Sequence, residues 1–406
     1  MGRILFAWEL GEHWGHLSRD LAVAQSLRAA GHTIHFVTRD SRIAFDVLTQ
    51  AGFGFTQAPL PLQSSKLSIT PTSYADILLI NGYADRSILF GLVQGWLGIL
   101  DVIRPIVVCI DHAPTALLAA RIRGISVVLM GSGFEIPPDI NPLPSIRPWE
   151  SIDHARLRHA DQTVLDTVNA VLSAHRCSTL NYLAELFAGH RTALTTFAEL
   201  DHYGVRGDHE YVGAIATLPR VPVVEWAAEK RHRMFAYLRI GPEIEELLSA
   251  LRTVDADIIC AIPGLTRDLH QRYASPSLKL FPHAVQLESL LPGADFVISY
   301  GGAGMMASTL LAGVPLLIVP RSVEQYLGAL RVETLGAGLV IRQQRKASDF
   351  MDAVEKLCTN EKYLIAAKAF AQRYAWFDGG KAVEKVVELI GAAIAGENRL
   401  SASRKN

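Results

Sequence analysis

Two groups of residues in this 406-residue chain have types and spacing that could do chemistry. One is Tyr300-Gly301-Gly302-Ala303-Gly304, between an apolar run, Ala294 to Ser299, and a helix-period segment, Met305 to Leu311. Glycines between a strand end and a helix start let a ligand approach the backbone. The unpaired N–H groups and positive dipole end of the first helical turn favour an anion, so the pattern points to phosphate. The plainer alternative is a tight turn with nothing bound. The other group is His16, which follows Gly15 at the start of a predicted helix, and Asp111, which ends a later apolar run. A helix N-terminus disfavours imidazolium, so His16 is expected to be neutral and able to accept a proton near pH 7. The competing readings are a capping or solvent-facing histidine, and Asp111 as the N-cap of the helix from Thr115. His13 and His112 lie beside them and compete for either role.

Positioning these residues requires elements that the periodicity supplies. Ile4 to Trp8 is an apolar run, Leu17 to Ala30 has one apolar helical face, and His32 to Thr38 is the next strand. Strand, loop, helix, strand at the start of a chain implies a parallel sheet with right-handed crossovers. Ligands of such sheets sit beyond the carboxyl ends of the strands, so the loop Glu9 to His16 lies at an active-site edge, as does Asp111 after the strand Pro105 to Ile110. Ile77 to Leu100 is an unusually apolar helical region whose faces could serve core packing or a hydrophobic acceptor pocket. The loop Gly131 to Pro148 is long enough to cover an acceptor site. Thr179 to Leu186 is expected to be helical, and Glu397 to Asn406 to fray.

Composition narrows the class. Hydrophobic residues make up 50% and charged residues 19%, as in a rather apolar globular protein of two or three domains. Lys plus Arg is 39 against 40 Asp plus Glu, a net charge of -1, which offers no electrostatic footprint for nucleic acid. Cys109, Cys177, Cys260 and Cys358 are isolated, without metal spacing, and read as reduced and buried. Asp255-Ala256-Asp257 joins a helix to a strand, and no metal is expected there. The first residues are too short an apolar run for a signal peptide and no stretch reads as an integral membrane segment, so a cytoplasmic location is the expectation.

After the glycine loop come Ala312-Gly313-Val314-Pro315-Leu316, Pro320, Glu324-Gln325 and Gly336-Ala337-Gly338. In this order they resemble the donor-binding signature of the inverting, nucleotide-sugar-dependent glycosyltransferases related to the UDP-glycosyltransferases and macrolide glycosyltransferases. The resemblance implies an α/β chain of GT-B fold, two Rossmann-like domains with parallel sheets facing a cleft. Residues 1–215 would bind the acceptor, 216–230 would link, and 231–378 would bind the donor. Residues 379–396 would form a helix bracing the first domain, and 397–406 a flexible tail. It also implies His16 as catalytic base with Asp111 as its partner, Glu324 and Gln325 on donor-sugar hydroxyls, Gln286 near the nucleoside and Arg239 as a candidate phosphate contact.

The sequence departs from that family's pattern at three positions. Tyr300 stands where a histidine usually touches the diphosphate, Met305 where serine or threonine is usual, and Ser308 where an acid commonly holds the ribose. A phenol donates a hydrogen bond but carries no positive charge, so part of the leaving-group stabilisation is lost or replaced. The implied function is transfer of a sugar, with inversion, from a nucleotide sugar to a hydroxyl of a small apolar natural product or lipid. No cofactor is expected beyond the donor as co-substrate. The alternative is a non-catalytic GT-B protein that binds a nucleotide sugar or a partner enzyme as activator or scaffold.

Overall fold

The computed structural model describes residues 2–11, 15–62, 70–207, 210–215, 221–226, 232–342 and 347–403. His13, and much of the expected linker, lie outside them. The chain forms two compact units, residues 1–217 with 378–406, and residues 218–377.

In the first unit, strands β1 (Arg3–Ala7), β2 (Thr33–Thr38), β3 (Gly54–Gln57), β4 (Val107–Ile110), β5 (Ser126–Gly131) and β6 (Arg191–Leu194) form one parallel sheet, in the order β3-β2-β1-β4-β5-β6. Its helices are α1 (Gly15–Ala29), α2 (Ser41–Leu48), α3 (Tyr74–Leu78), α4 (Arg86–Ile103), α5 (Pro114–Arg123) and α6 (His154–Ala174). Ile4 to Ala7 and Val107 to Ile110 are buried throughout, because helices cover both faces of a parallel sheet and its central strands are continuous apolar runs. The apolar region from Ile77 is broken in two. Gly82 has φ 101°, where a Cβ would stand 2.8 Å from Ile88 Cγ2. Asp85 then caps α4 through the Ser87 and Ile88 N–H groups. By length and composition α4 could cross a membrane, contrary to expectation, a property it shares with core helices of soluble proteins. Here Leu89, Val93, Trp96, Leu97 and Leu100 face the core with residues of α5 and α6. The stretch from Thr179 is helical only over the short turn Leu183–Leu186.

In the second unit, β7 (His232–Tyr237), β8 (Ala256–Ala261), β9 (Leu278–Phe281), β10 (Phe296–Ser299), β11 (Leu316–Ile318) and β12 (Gly338–Val340) are again all parallel, in the order β12-β11-β10-β7-β8-β9. Around them lie α7 (Ile244–Leu251), α8 (Arg267–Tyr273), α9 (Ala303–Leu311), α10 (Val323–Thr334), α11 (Ala347–Thr359) and α12 (Lys362–Arg373). Relabelled from its own first strand, each sheet has the doubly wound order 3-2-1-4-5-6. Strand order therefore reverses between β1 and β4, and between β7 and β10, opening a crevice beyond the strand ends at each place. The last helix, α13 (Gly379–Ser403), belongs to the first unit, where it packs on α1 and against β4 to β6 with Val386 and Ile390 fully buried. It runs past residue 396, into the stretch expected to be a tail.

Ala113, the residue ahead of α5, makes no side-chain cap. Glu9, far away in sequence, does the capping: its carboxylate accepts from the Thr115 N–H at 2.8 Å and the Ala116 N–H at 3.3 Å. Truncating Glu9 to alanine removes acceptors from two buried donors, and urea unfolding should register a loss of about 1–2 kcal/mol.

Candidate active site

The first crevice is built from the ends of β1 and β4. Asp111 N–H donates to Ala7 O at 2.9 Å, which carries the Asp111 side chain just past the sheet. Across the crevice, His16 sits in the first turn of α1 and is 9% exposed. Its Nδ1 lies 2.7 Å from Asp111 Oδ1. An ionised carboxylate can only accept, so the proton belongs on Nδ1 and the lone pair on Nε2. Nε2 faces Gly11, whose φ is 78°; a Cβ there would stand 2.6 Å from His16 Nε2 and 3.0 Å from His112 Nδ1. The Trp8 ring stacks on the imidazole at 5.4 Å, and the Trp8 indole is itself held by Leu10 O at 2.7 Å. His16 is thus neither solvent-facing nor a cap, and Asp111 caps no helix.

Two partners escaped the sequence reading. Arg19, one turn on from His16, sends Nη2 to both Asp111 oxygens at 2.6 Å and Nε to Oδ2 at 3.1 Å. The same Nη2 donates to Glu135 Oε1 at 3.1 Å, and Glu135 accepts from Ser132 N–H at 2.8 Å. The spacing of three residues on α1 was the only sequence signal for Arg19. Glu135 comes from the loop after β5 and gave none. His16, Asp111 and Glu135 are the one group among the described residues whose ligand atoms lie close enough to hold a metal, within 4.8 Å of one another. The Arg19 guanidinium already stands among them as their cation.

Electrostatics at His16 run against the expectation of a depressed pKa. Burial pushes the imidazole down and Arg19 adds to that, but the charge and hydrogen bond of Asp111, with Glu135, outweigh them, so the net direction is upward from 6.5. Asp111 is held well below the usual carboxylate range: burial opposes ionisation, and Arg19 and His16 overcome it. Asp20, also buried, is driven well above that range by burial and by the Asp111 charge.

His112 differs from its neighbour. Its backbone has φ 51°, a strained left-handed conformation for a residue with a side chain, and its carbonyl accepts from Leu10 N–H at 2.9 Å. Its ring is buried among His16, Tyr74 and Phe134, and its Nε2 has no hydrogen-bond partner among the described residues. Burial, with the neighbouring His16, lowers its pKa to about 4.

At the second crevice, β10 ends at Ser299 and Tyr300 is buried, 4% exposed. Gly301 has φ 83°, and a Cβ there would stand 2.8 Å from Ile318 Cγ2 and 3.2 Å from Gln325 O. Gly302 caps α9 without a side chain, leaving N–H groups of its first turn open. A Cβ on Gly302 or Gly304 would meet nothing within 4 Å, so packing does not require glycine at either. The Tyr300 hydroxyl is committed, donating to Arg239 O at 3.2 Å, and burial pushes its pKa up to about 12. Over the Tyr300 ring, at 5.2 Å, lies the guanidinium of Arg321, held by Glu243 at 3.2 Å. Arg321 is a cation at this edge that the sequence reading passed over.

The remaining predicted residues lie around the same strand ends. Arg239 is on the turn after β7. Glu324 and Gln325 are in the first turn of α10, not on a loop, and the Gln325 side-chain carbonyl accepts from Arg321 N–H at 2.8 Å. Met305 packs, half-buried, against the cluster around Phe235 and Val297, and Ser308 is half-buried on α9. Gln286 is half-buried and its N–H donates to Pro222 O at 3.0 Å.

Two sheets of this order, each with its helices, make the GT-B fold. Residues 245–378 match the model of the erythromycin biosynthesis protein CIII-like C-terminal domain. The chain is 26% identical over 401 residues to a PGL/p-HBAD biosynthesis rhamnosyltransferase of Mycobacterium bovis (strain BCG / Pasteur 1173P2), covering 92% of this chain and 84% of that protein. Among solved structures, the glycosyltransferase VinC in complex with dTDP matches with a TM-score of 0.68 and 17% identity, over 96% of this chain and 99% of the other. The spinosyn rhamnosyltransferase SpnG complexed with thymidine diphosphate matches with a TM-score of 0.66 and 15% identity, over 95% and 100%. The chain is related to the GT-B glycosyltransferases of natural-product biosynthesis.

A histidine with a folded-state pKa near 4 and an unfolded value near 6.5 binds fewer protons folded than unfolded between those values, so its contribution to stability is lost as pH falls through that window. Replacing His112 with asparagine, which tolerates the left-handed backbone, removes this term. Between pH 8 and pH 5 the wild type should lose about 2 kcal/mol more than His112→Asn, read by urea unfolding at the two pH values.

Proposed function

We propose that this protein is an inverting glycosyltransferase that moves a hexose-type sugar from a thymidine-diphosphate donor to a hydroxyl of an apolar natural product or lipid. The observation that carries the reading is the His16–Asp111 pair at 2.7 Å, with Nε2 the one ring nitrogen left to take a proton. As the acceptor oxygen forms its bond to the anomeric carbon, its proton passes to His16 Nε2. The bond from that carbon to the diphosphate oxygen breaks on the opposite face, and the electron pair leaves with the phosphate. Asp111 holds the Nδ1 proton and stabilises the imidazolium that forms. The thymidine choice rests on the two structural relatives solved with that nucleotide, and the lipid or natural-product class on the related enzymes' names.

The diphosphate is assigned to the open first turn of α9, where Gly302 and Gly304 leave the backbone bare. In this reading Arg321 supplies the positive charge that Tyr300 lacks, stacked on the Tyr300 ring and reaching the same strand ends. Glu324 suits donor hydroxyls, since a carboxylate accepts from two at once.

Three outcomes are expected. dTDP should raise the melting temperature more than UDP, with a ligand at 100 times its dissociation constant adding about 2.7 kcal/mol. Arg321→Gln should weaken dTDP by about tenfold or more while sparing thymidine. His16→Ala should lower kcat by roughly 100- to 10,000-fold, measured as dTDP released from dTDP-rhamnose with phenolic and lipid acceptors. No transfer by the wild type despite nucleotide binding would instead favour the non-catalytic activator, the reading that the committed Tyr300 hydroxyl supports.

A further inference from the structure

We propose that Arg19 and Glu135 are positioning residues of the His16–Asp111 pair: Arg19 locks the Asp111 carboxylate and shares its charge, and Glu135 fixes Arg19 where it can do so. The inference takes His16 as the base from the reading above, but its physical content concerns the four side chains alone.

The geometry is that of one guanidinium serving three partners. Arg19 Nη2 is 2.6 Å from each Asp111 oxygen, 3.1 Å from Glu135 Oε1 and 3.4 Å from His16 Nδ1. All four residues are at most 9% exposed, so none of these charges is diluted by water. Glu135 is a built anchor. Ser132 holds it through N–H at 2.8 Å and Oγ at 3.1 Å. It also folds back over Gly131, where a Cβ would come within 2.6 Å of its Cδ, so the glycine that ends β5 is what admits it. A surface ion pair needs no such seat.

The consequence follows from charge. A bare carboxylate on Nδ1 in a dry site holds imidazolium tightly, and a histidine already protonated cannot take the acceptor's proton. A fixed positive charge 3.4 Å from Nδ1 opposes that, while its hydrogen bonds keep Asp111 ionised and aimed. Among the described residues, the titratable and charged groups around His16 are Asp111 after β4, His112 beside it, Glu135 after β5, and Arg19 and Asp20 on α1. Burial and the Asp111 charge favour the protonated form of Asp20, and His112 stays neutral down to about pH 4. Among the described residues, the hydrogen-bonded charges gathered at His16 are thus two carboxylates and one guanidinium. Neither Arg19 nor Glu135 touches substrate in this scheme; they act through Asp111 and His16.

The experiment follows the ring nitrogens of His16 by NMR in the full chain labelled with 15N-histidine. The His16 signal among the 14 histidines is identified by its loss in His16→Gln. Arg19→Met with Glu135→Gln removes one charge of each sign and leaves His16 and Asp111 in place. The pKa of His16 should then rise by about 1 unit. Glu135→Gln alone keeps an acceptor oxygen for Arg19, so Arg19 stays seated but less compensated, and the His16 pKa should fall. An unchanged titration in the double variant, or a shift of the opposite sign in either, overturns the proposal. Should the double variant fail to fold, Glu135→Gln by itself decides, since no shift there overturns it equally. The titration needs no substrate. A shift without glycosyl transfer by the wild type would therefore leave this inference standing and remove the enzyme reading, and transfer without a shift would do the reverse.

Discussion

A carboxylate taken almost wholly out of water has to be met by positive charge and hydrogen donors, and Asp111, 1% exposed, is where this protein accepts that constraint. Removing one partner of such a buried group typically costs about 3–5 kcal/mol, because the other charge is left uncompensated. The donors to its carboxylate, His16 and Arg19, come from α1; its backbone N–H donates to Ala7 O of β1, and Glu135 reaches Arg19 from the loop after β5. Three elements at the strand-order reversal are thereby tied to one group of charges. The same ties engage His16 through Nδ1 and leave Nε2 outside the ionic cluster, which is the feature the proposed proton transfer uses.

Glycine does complementary work in the two crevices. At Gly11 and Gly131 the missing Cβ makes room for a side chain of the site itself, His16 in one case and Glu135 in the other. At Gly301 a positive φ and the nearness of Ile318 demand glycine for the turn. Gly302 and Gly304 answer to neither need, and a backbone left bare where nothing packs is suited to an incoming ligand. Tyr300 turns its hydroxyl to a backbone carbonyl and offers its ring face to Arg321, so positive charge stands beside the turn although residue 300 cannot supply it.

The two sheets share one strand order but differ in what their reversal points carry. The first holds an imidazole on buried ionic supports. The second holds open N–H groups, a guanidinium and an acidic helix turn. The proposed transfer of a glycosyl group draws on both kinds of chemistry, and in each sheet the topology places these groups at the carboxyl end of adjacent strands.

Local patterns made much of this legible beforehand. The apolar runs of β1, β4 and β10 and the helix period of α1 and α9 depend on near neighbours, and the glycine loop and Gly15-His16 announce themselves by adjacency. Boundaries and short pieces were less visible. The break at Gly82, the turn at Leu183–Leu186 and the start of α10 before Glu324 depend on packing or capping that a periodicity does not contain. The Asp111 contact with His16 spans 95 residues, and Arg19 with Glu135 spans 116. No spacing rule reaches so far. Nor could a local argument give the direction of the His16 pKa: the helix terminus said down, and two carboxylates brought in by the fold said up. Residue types and neighbours thus specified what chemistry was available. Folding set which charges share a water-free volume, because electrostatic strength depends on distance and burial, and both exist only once the chain is packed.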